Sequence, residues 1–233
     1  MRKGIRYVIG DIHGCFHTFK YLVEEELHMK PGDTLFLLGD TIDRGAKSKE
    51  VLDFIRQLSG VMTVKPIMGN HEYMMLRSLE DGDYFHTWTL NGCAKTLISF
   101  GVSRFMANKR ESVFQIPKEY IDFIRTWPLH EKTEDFIFVH AGLDPHVKQP
   151  LSDIHSMLYR RKEDYPEDIL GERKLIHGHT PVPISSILER LRTPGVKVLN
   201  LDGGCVYNNY PGLGVLVALD LDRMTLYSAR NID

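Results

Sequence analysis

Residues 34–45 read TLFLLGDTIDRG, an apolar run from Leu35 to Leu38 that stops at Gly39 and Asp40, with Asp43 and Arg44 directly behind. A short apolar run bounded by glycine predicts a buried strand. Ending that strand in Gly-Asp sets a carboxylate at its carboxyl end, the edge at which open α/β sheets bind ligands. The same grammar recurs along the chain. Ile5–Ile9 runs into Gly10-Asp11-Ile12-His13-Gly14, and Val64–Met68 into Gly69-Asn70-His71-Glu72. Phe136–Val139 runs into His140-Ala141-Gly142, and Lys174–Ile176 into His177-Gly178-His179. One Gly-Asp behind a strand is an ordinary turn. Five strand-like runs that each deliver Asp, Asn or His predict one edge and a shared site.

Around these runs the periodicity changes. Phe16–Leu27 places Phe16, Phe19, Leu22, Val23 and Leu27 on one helical face. Val51–Leu58, Glu72–Leu79, Ala94–Phe100 and Pro117–Trp127 also predict helices, the last with proline in its first turn. Residues 80–91 are polar and aromatic, with Asp81-Gly82-Asp83 as a breaker. Leu129–Lys132 with Phe136–Val139, and Gly214–Leu219 with Thr225–Ser228, read as hairpins. Strand–helix alternation in the first third argues for βαβ units on a parallel sheet, and the last third is β-rich. No repeat or linker divides residues 1–233, so a single domain is expected.

Composition narrows the class. Hydrophobic content of 42% and charged content of 26% fit a soluble globular protein. A formal charge of −2 carries no signal for a nucleic-acid partner. No apolar run approaches the roughly 18 residues of a spanning helix, so no membrane partner is expected. Cys15, Cys93 and Cys205 stand at no metal-like spacing, and no signal peptide follows Met1. Free thiols in a reducing, cytoplasmic setting are expected.

The strand ends carry the chemistry. Asp11 and His13, two residues apart, project to the same side of an extended backbone and reach one metal ion. Asp40, from the neighbouring strand, can bridge two ions through its two oxygens. Asn70, His140 and His179 offer an amide oxygen and two imidazoles to a second ion. Oxygen and nitrogen ligands without thiolate suit manganese, iron or zinc in a reactive rather than structural site. Two such ions, about 3.5–4 Å apart, clamp a phosphate and share an activated hydroxide. Arg44 is placed to hold a phosphate bidentately. Asp43 is placed to keep the imidazole of His71 protonated as a general acid. Trp88, Asn91 and Gly92 read equally as part of a substrate lid or as a packed helix start.

In this order GDIHG, GDTIDRG, GNHE, HAG and HGHTP resemble the calcineurin-like metallophosphoesterases, and more narrowly the bacterial and phage-type serine/threonine protein phosphatases. The motifs span Gly10 to Pro181, and LNLDGG at Leu199–Gly204 matches in style. The resemblance implies an α/β (α+β) fold, a central β-sandwich of mixed sheets flanked by helices. It implies Asp11, His13 and Asp40 as ligands of one metal, and Asp40, Asn70, His140 and His179 as ligands of the other. It makes His71 and Asp43 the acid pair and Arg44 a phosphate contact. Leu158-Tyr159-Arg160-Arg161 supplies a second phosphate arginine, Arg161 in preference to Arg160. Of the two histidines in HGHTP, the family pattern selects His179 over His177. Two divalent ions, manganese first and iron or zinc next, are the implied cofactors. The implied activity is hydrolysis of phosphoserine or phosphothreonine in a phosphoprotein or phosphopeptide. A dinucleoside polyphosphate (diadenosine tetraphosphate) hydrolase of the same superfamily is the alternative, and an inactive phosphoprotein-binding module a third reading. The segment behind LDGG, CVYNNYPGLG at Cys205–Gly214, is longer and more polar than a tight glycine turn and is expected to border the site.

Overall fold

The computed structural model describes residues 4–162, 165 and 170–233. β1 (Arg6–Ile9), β2 (Thr34–Leu37) and β3 (Thr63–Pro66) pair in parallel, and β8 (Val215–Asp220) and β9 (Thr225–Arg230) continue that sheet antiparallel beyond β1. A second sheet holds β4 (His130–Lys132), β5 (Phe136–Val139), β6 (Lys174–His177) and β7 (Val198–Asn200), parallel from β5 to β7 with β4 antiparallel at its edge.

The apolar runs are continuous because both faces of each sheet are covered. Alternate residues sort into separate cores. Tyr7, Ile9, Leu35, Leu37, Leu216 and Ala218 enter one core with the helices α1 (Phe16–Tyr21) and α2 (Ser48–Ser59). The residues between them, Val8, Phe36, Val217 and Leu219, point the other way and meet Phe136, Phe138, Ile176 and Leu199 of the second sheet. Phe36 and Phe138 stack there, centroids 4.3 Å apart and planes 16° apart. Each fully buried side chain of this kind contributes about 1.5–3 kcal/mol. Ile137, Val139, Leu175 and Val198 form a third core on the outer face of the second sheet. Met157 of α7 (Ile154–Tyr159) joins it there.

Three expectations need correction. The strand ends do not share one sheet edge: β1, β2 and β3 present theirs from the first sheet, β5 and β6 from the second, and the loops meet across the sandwich. Residues 80–91 form a helix, α4 (Gly82–Leu90), behind α3 (Asn70–Ser78). Asp81, read as part of a breaker, is its N-cap, accepting from the Asp83 amide at 2.9 Å. The run Phe16–Leu27 is α1 followed by a π-helical turn, Leu22–Glu26. Further α-helices among the described residues are α5 (Cys93–Ser99), α6 (Lys118–Arg125) and α8 (Ile184–Arg192). Of the charged stretch 160–171, residues 163–164 and 166–169 lie outside the described residues.

Gly39, at the end of β2, has φ +89°, and a Cβ built on it would lie 2.5 Å from the Gly69 amide nitrogen. The loops behind β2 and β3 therefore touch backbone to backbone. Gly39→Ala combines a left-handed backbone with that clash and should destabilise the protein by about 2–4 kcal/mol. Denaturant unfolding measures the loss; a change below 1 kcal/mol would mean that the two loops separate without cost.

Candidate metal centre

The loops behind β1 and β2 are zipped together first. The Ile12 and His13 amides donate to the Asp40 carbonyl, at 3.1 and 2.8 Å, and the Gly14 amide to that of Thr41 at 2.9 Å. The Glu72 carboxylate then ties in the loop behind β3. It is fully buried and accepts from the amides of Gly69, Asp40, Thr41 and Ile42 and from the Thr41 hydroxyl, at 2.7 to 3.3 Å. From the second sheet, the His140 imidazole reaches across to the Leu38 carbonyl, Nδ1 donating at 2.8 Å.

These anchors collect the donor atoms into two triads that share Asp40. In one, ligand atoms of His13, Asp40 and His71 lie within 4.8 Å of one another; in the other, those of Asp40, His140 and His179 do. Asn70 belongs with the second triad: its Oδ1 is 2.9 Å from His140 Nε2 and 3.0 Å from His179 Nδ1. Asp11 is outside both triads, its carboxylate accepting from the His179 amide at 3.1 and 3.2 Å. His177 is outside them too, with Nδ1 against the Gly178 carbonyl. A Cβ at Gly178 would sit 2.1 Å from Asp11 Oδ1, so only glycine allows this approach.

The donor set fits a cation. Because His140 gives its Nδ1 proton to Leu38, a neutral imidazole turns a lone pair at Nε2 toward the oxygens of Asn70 and Asp40, 2.9 and 3.3 Å away, and His179 Nδ1 at 3.1 Å. Acceptors that converge in a buried space need positive charge between them. The electrostatics agree. Burial disfavours a charged His140, yet the Asp40 and Asp11 carboxylates overcome it and raise its pKa to about 10. Burial, then Asp202 and Asp40, push the Asp11 carboxyl well up. Burial, with the Asp40 charge adding to it against the hydrogen bond from the Gly204 amide, raises Asp202 to about 6. His179, by contrast, is driven down to about 3 by burial, then by His140 and Arg161, and is neutral as a metal ligand must be.

Around the triads, His71 Nδ1 lies 2.6 Å from Asp43 Oδ2, and its buried Nε2 has no hydrogen-bond partner among the described residues. Asp43 is locked by donors that the sequence did not reveal: Trp88 Nε1 and the Thr96 hydroxyl, both at 2.5 Å. Trp88 is thus neither lid nor mere packing. Its signal was the Phe85–Trp88 spacing on α4, hidden when residues 80–91 are not read as helix. Arg44 Nη1 lies 2.5 Å from His13 Nε2, at one end of the paired triads. Arg161 is exposed, and its charge acts on His179 at the other end. Arg160 is held instead, its Nε donating to the Lys162 carbonyl.

The description "Calcineurin-like phosphoesterase" matches residues 7–211. The chain belongs to the calcineurin-like phosphoesterase family. Membership implies divalent metal ions, and the two Asp/His triads are groups that can bind them. A curated relative from Pasteurella multocida, named "Bis(5'-nucleosyl)-tetraphosphatase, symmetrical", is 27% identical over 169 residues, 68% of this chain and 53% of the relative. The chain spans about half the length of the curated relatives it matches. Two solved structures share the calcineurin-like fold. One, described as a "putative diadenosine tetraphosphatase", superposes with a TM-score of 0.64 at 19% identity, covering 99% of this chain and 95% of that one. The other, a serine/threonine phosphatase from Saccharomyces cerevisiae with similarity to human phosphatase PP5, has a TM-score of 0.66 at 14% identity, covering 99% and 81%.

The expected phosphoprotein phosphatase activity, and with it the phosphoprotein or phosphopeptide partner, is corrected by the curated relatives. Their name is that of a dinucleoside tetraphosphatase, which cleaves a phosphoanhydride rather than a phosphomonoester. The physical reason is that the motifs hold ions and a phosphate, and those parts are common to both reactions. What leaves the phosphate is not written in them. No helix among the described residues is long and apolar enough to cross a membrane.

Asp40 is shared by both triads, and Glu72 holds Asp40 without joining either. Asp40→Asn should abolish tight manganese binding in calorimetric titration. Glu72→Gln turns an NH2 group toward backbone N–H donors and should weaken manganese about 10–100-fold with every triad residue in place. Unchanged affinity in Glu72→Gln would show that the loops hold their shape without it.

Proposed function

We propose that this chain hydrolyses dinucleoside polyphosphates symmetrically, adding water across the central P–O–P bond of a dinucleoside tetraphosphate to give two nucleoside diphosphates. The observation that carries the reading is the shared name of the curated relatives over the motif-bearing part of the chain. The site's charge supports it: Arg44 stands at the His13 end and Arg161 at the His179 end, so a run of phosphates meets a guanidinium on either side of the donor cluster. We take residues 1–233 as one metallophosphoesterase domain, supported by the core that joins the two sheets.

In this reading Asp11, His13 and Asp40 hold one divalent ion, and Asp40, Asn70, His140 and His179 a second, with manganese the first choice. When bound, such ions supply positive charge to the non-bridging phosphate oxygens and lower the pKa of the attacking water. The chain's own groups do the rest. Arg44, Asn70 and Arg161 bind and orient the phosphate. Asp43 accepts from Nδ1–H of His71 and orients the ring, so that the Nε2–H of the imidazolium is the proton given to the departing oxygen. Trp88 and Thr96 hold Asp43 in place for that task. The departing group is a nucleoside diphosphate, a weaker base than a serine alkoxide, so less rests on His71 here than in a phosphoprotein phosphatase.

Manganese-loaded protein incubated with diadenosine tetraphosphate should yield ADP as the only nucleotide product by anion-exchange chromatography. His71→Asn should lower kcat about 100-fold with KM little changed. Turnover of a phosphopeptide but not of the dinucleotide would sink the proposal.

A further inference from the structure

A dinucleoside polyphosphate carries a nucleoside at each end, and one cleft beside the centre has the chemistry to take one. It opens between the end of α4 and the segment behind β7. Arg44, Leu90, Asn91, Gly92, Val206 and Tyr207 line about 450 Å³. Tyr207 is half-buried, and the Arg44 guanidinium carbon lies 5.5 Å from its ring centroid. The same guanidinium reaches His13 of the first triad. A phosphate held by Arg44 therefore has its next substituent beside the Tyr207 ring. Tyr210 braces that ring edge-on, centroids 5.8 Å apart and planes 85° apart. Leu90 lines the cleft and is 74% exposed. Asn91 gives its amide Nδ2 to the Thr87 carbonyl at 2.8 Å, and its Oδ1 accepts no bond among the described residues.

An aromatic face, an apolar side chain and an amide oxygen in one cleft match a nucleobase, which has flat π faces and an edge bearing an exocyclic amino donor. We propose that Tyr207, Leu90 and Asn91 form a nucleobase subsite, in which the base of the nucleotide whose phosphate Arg44 holds stacks on Tyr207. The inference rests on the function proposed above for its phosphate contact, and it names the part of the site that prefers a nucleotide over a bare polyphosphate.

The test is calorimetric titration of manganese-loaded protein with ADP and, separately, with inorganic pyrophosphate. Wild-type protein should bind ADP about tenfold more tightly than pyrophosphate, the scale of one base–aromatic stack. Tyr207→Ala should lose that preference, and Tyr207→Phe should keep it. Three results overturn the subsite: no preference for ADP in the wild type, a preference that survives Tyr207→Ala, or equal weakening of both ligands in Tyr207→Ala. The last would mean that Tyr207 only places Arg44. Should Tyr207→Ala fail to fold, Leu90→Ser at the exposed cleft wall should cut the ADP preference about threefold, and an unchanged preference there overturns the proposal. Turnover is read separately. An ADP preference without cleavage of diadenosine tetraphosphate defeats the reaction and keeps the subsite; cleavage without the preference does the reverse.

Discussion

The Glu72 carboxylate is the interaction on which the centre depends. Its five donors are the amides of three consecutive residues behind β2, the Thr41 hydroxyl, and the amide of Gly69, the residue before α3. A buried carboxylate is costly unless its lone pairs are filled, and here they are filled by backbone amides that have no strand or helix partner of their own. Each side therefore satisfies the other. The result is a rigid joint between two loops, with Asp40 on one side of it and Asn70 and His71 on the other. The candidate ligands Asp40 and Asn70 are both set relative to that joint.

Rigidity is needed because the site loops are strained. Outside glycine, His13, Asp40, Asp43, Arg44 and His179 all have φ between +47° and +71°. Left-handed backbone at such residues costs on the order of 1–3 kcal/mol each and persists only where surrounding structure over-determines it. What over-determines it is the zipper between the β1 and β2 loops, the Glu72 joint, and the apolar sandwich beneath, where Phe36 stacks on Phe138. The strain turns side chains of neighbouring residues toward one point, which regular strand or helix geometry would splay apart. Packing of the sheets thus supplies the free energy that the functional loops consume.

Much of this was legible in the sequence, and the reasons are local. Strands buried on both faces read as unbroken apolar runs, so their ends, and the residues at them, could be located without knowing the partner strand. Asp40, His140 and His179 were named from that grammar, and they do lie together. Asp11 was named with them, and its carboxylate accepts from the amide of His179, a member of the second triad. Long-range polar partners left no such trace. Trp88 and Thr96 lie 45 and 53 residues from the Asp43 they secure. Asp202 adds its charge to the site from the far end of the chain. Helix α4 was missed because Asp81-Gly82-Asp83 carries the same composition as a loop and as an N-cap. Two sheets facing each other could not be told from one sheet with a common edge, since strand order is absent from periodicity.

The misread substrate class has the same origin. The motifs that can be recognised at a distance are those whose residues must sit at fixed spacing to converge on ions and a phosphate, and any phosphate ester or anhydride satisfies them. Discrimination between a protein and a nucleotide has to come from the walls around that point. In this chain the walls on the Arg44 side are the end of α4 and the Cys205–Gly214 segment. Neither carries residues at a spacing that ion or phosphate binding dictates, so neither announces what it binds. Placing Tyr207 beside Arg44 requires the fold, because 163 residues separate them and only the folded chain brings the ring to 5.5 Å from the guanidinium. Catalytic chemistry is legible early because it is local and stereotyped; specificity becomes legible only when the loops have met.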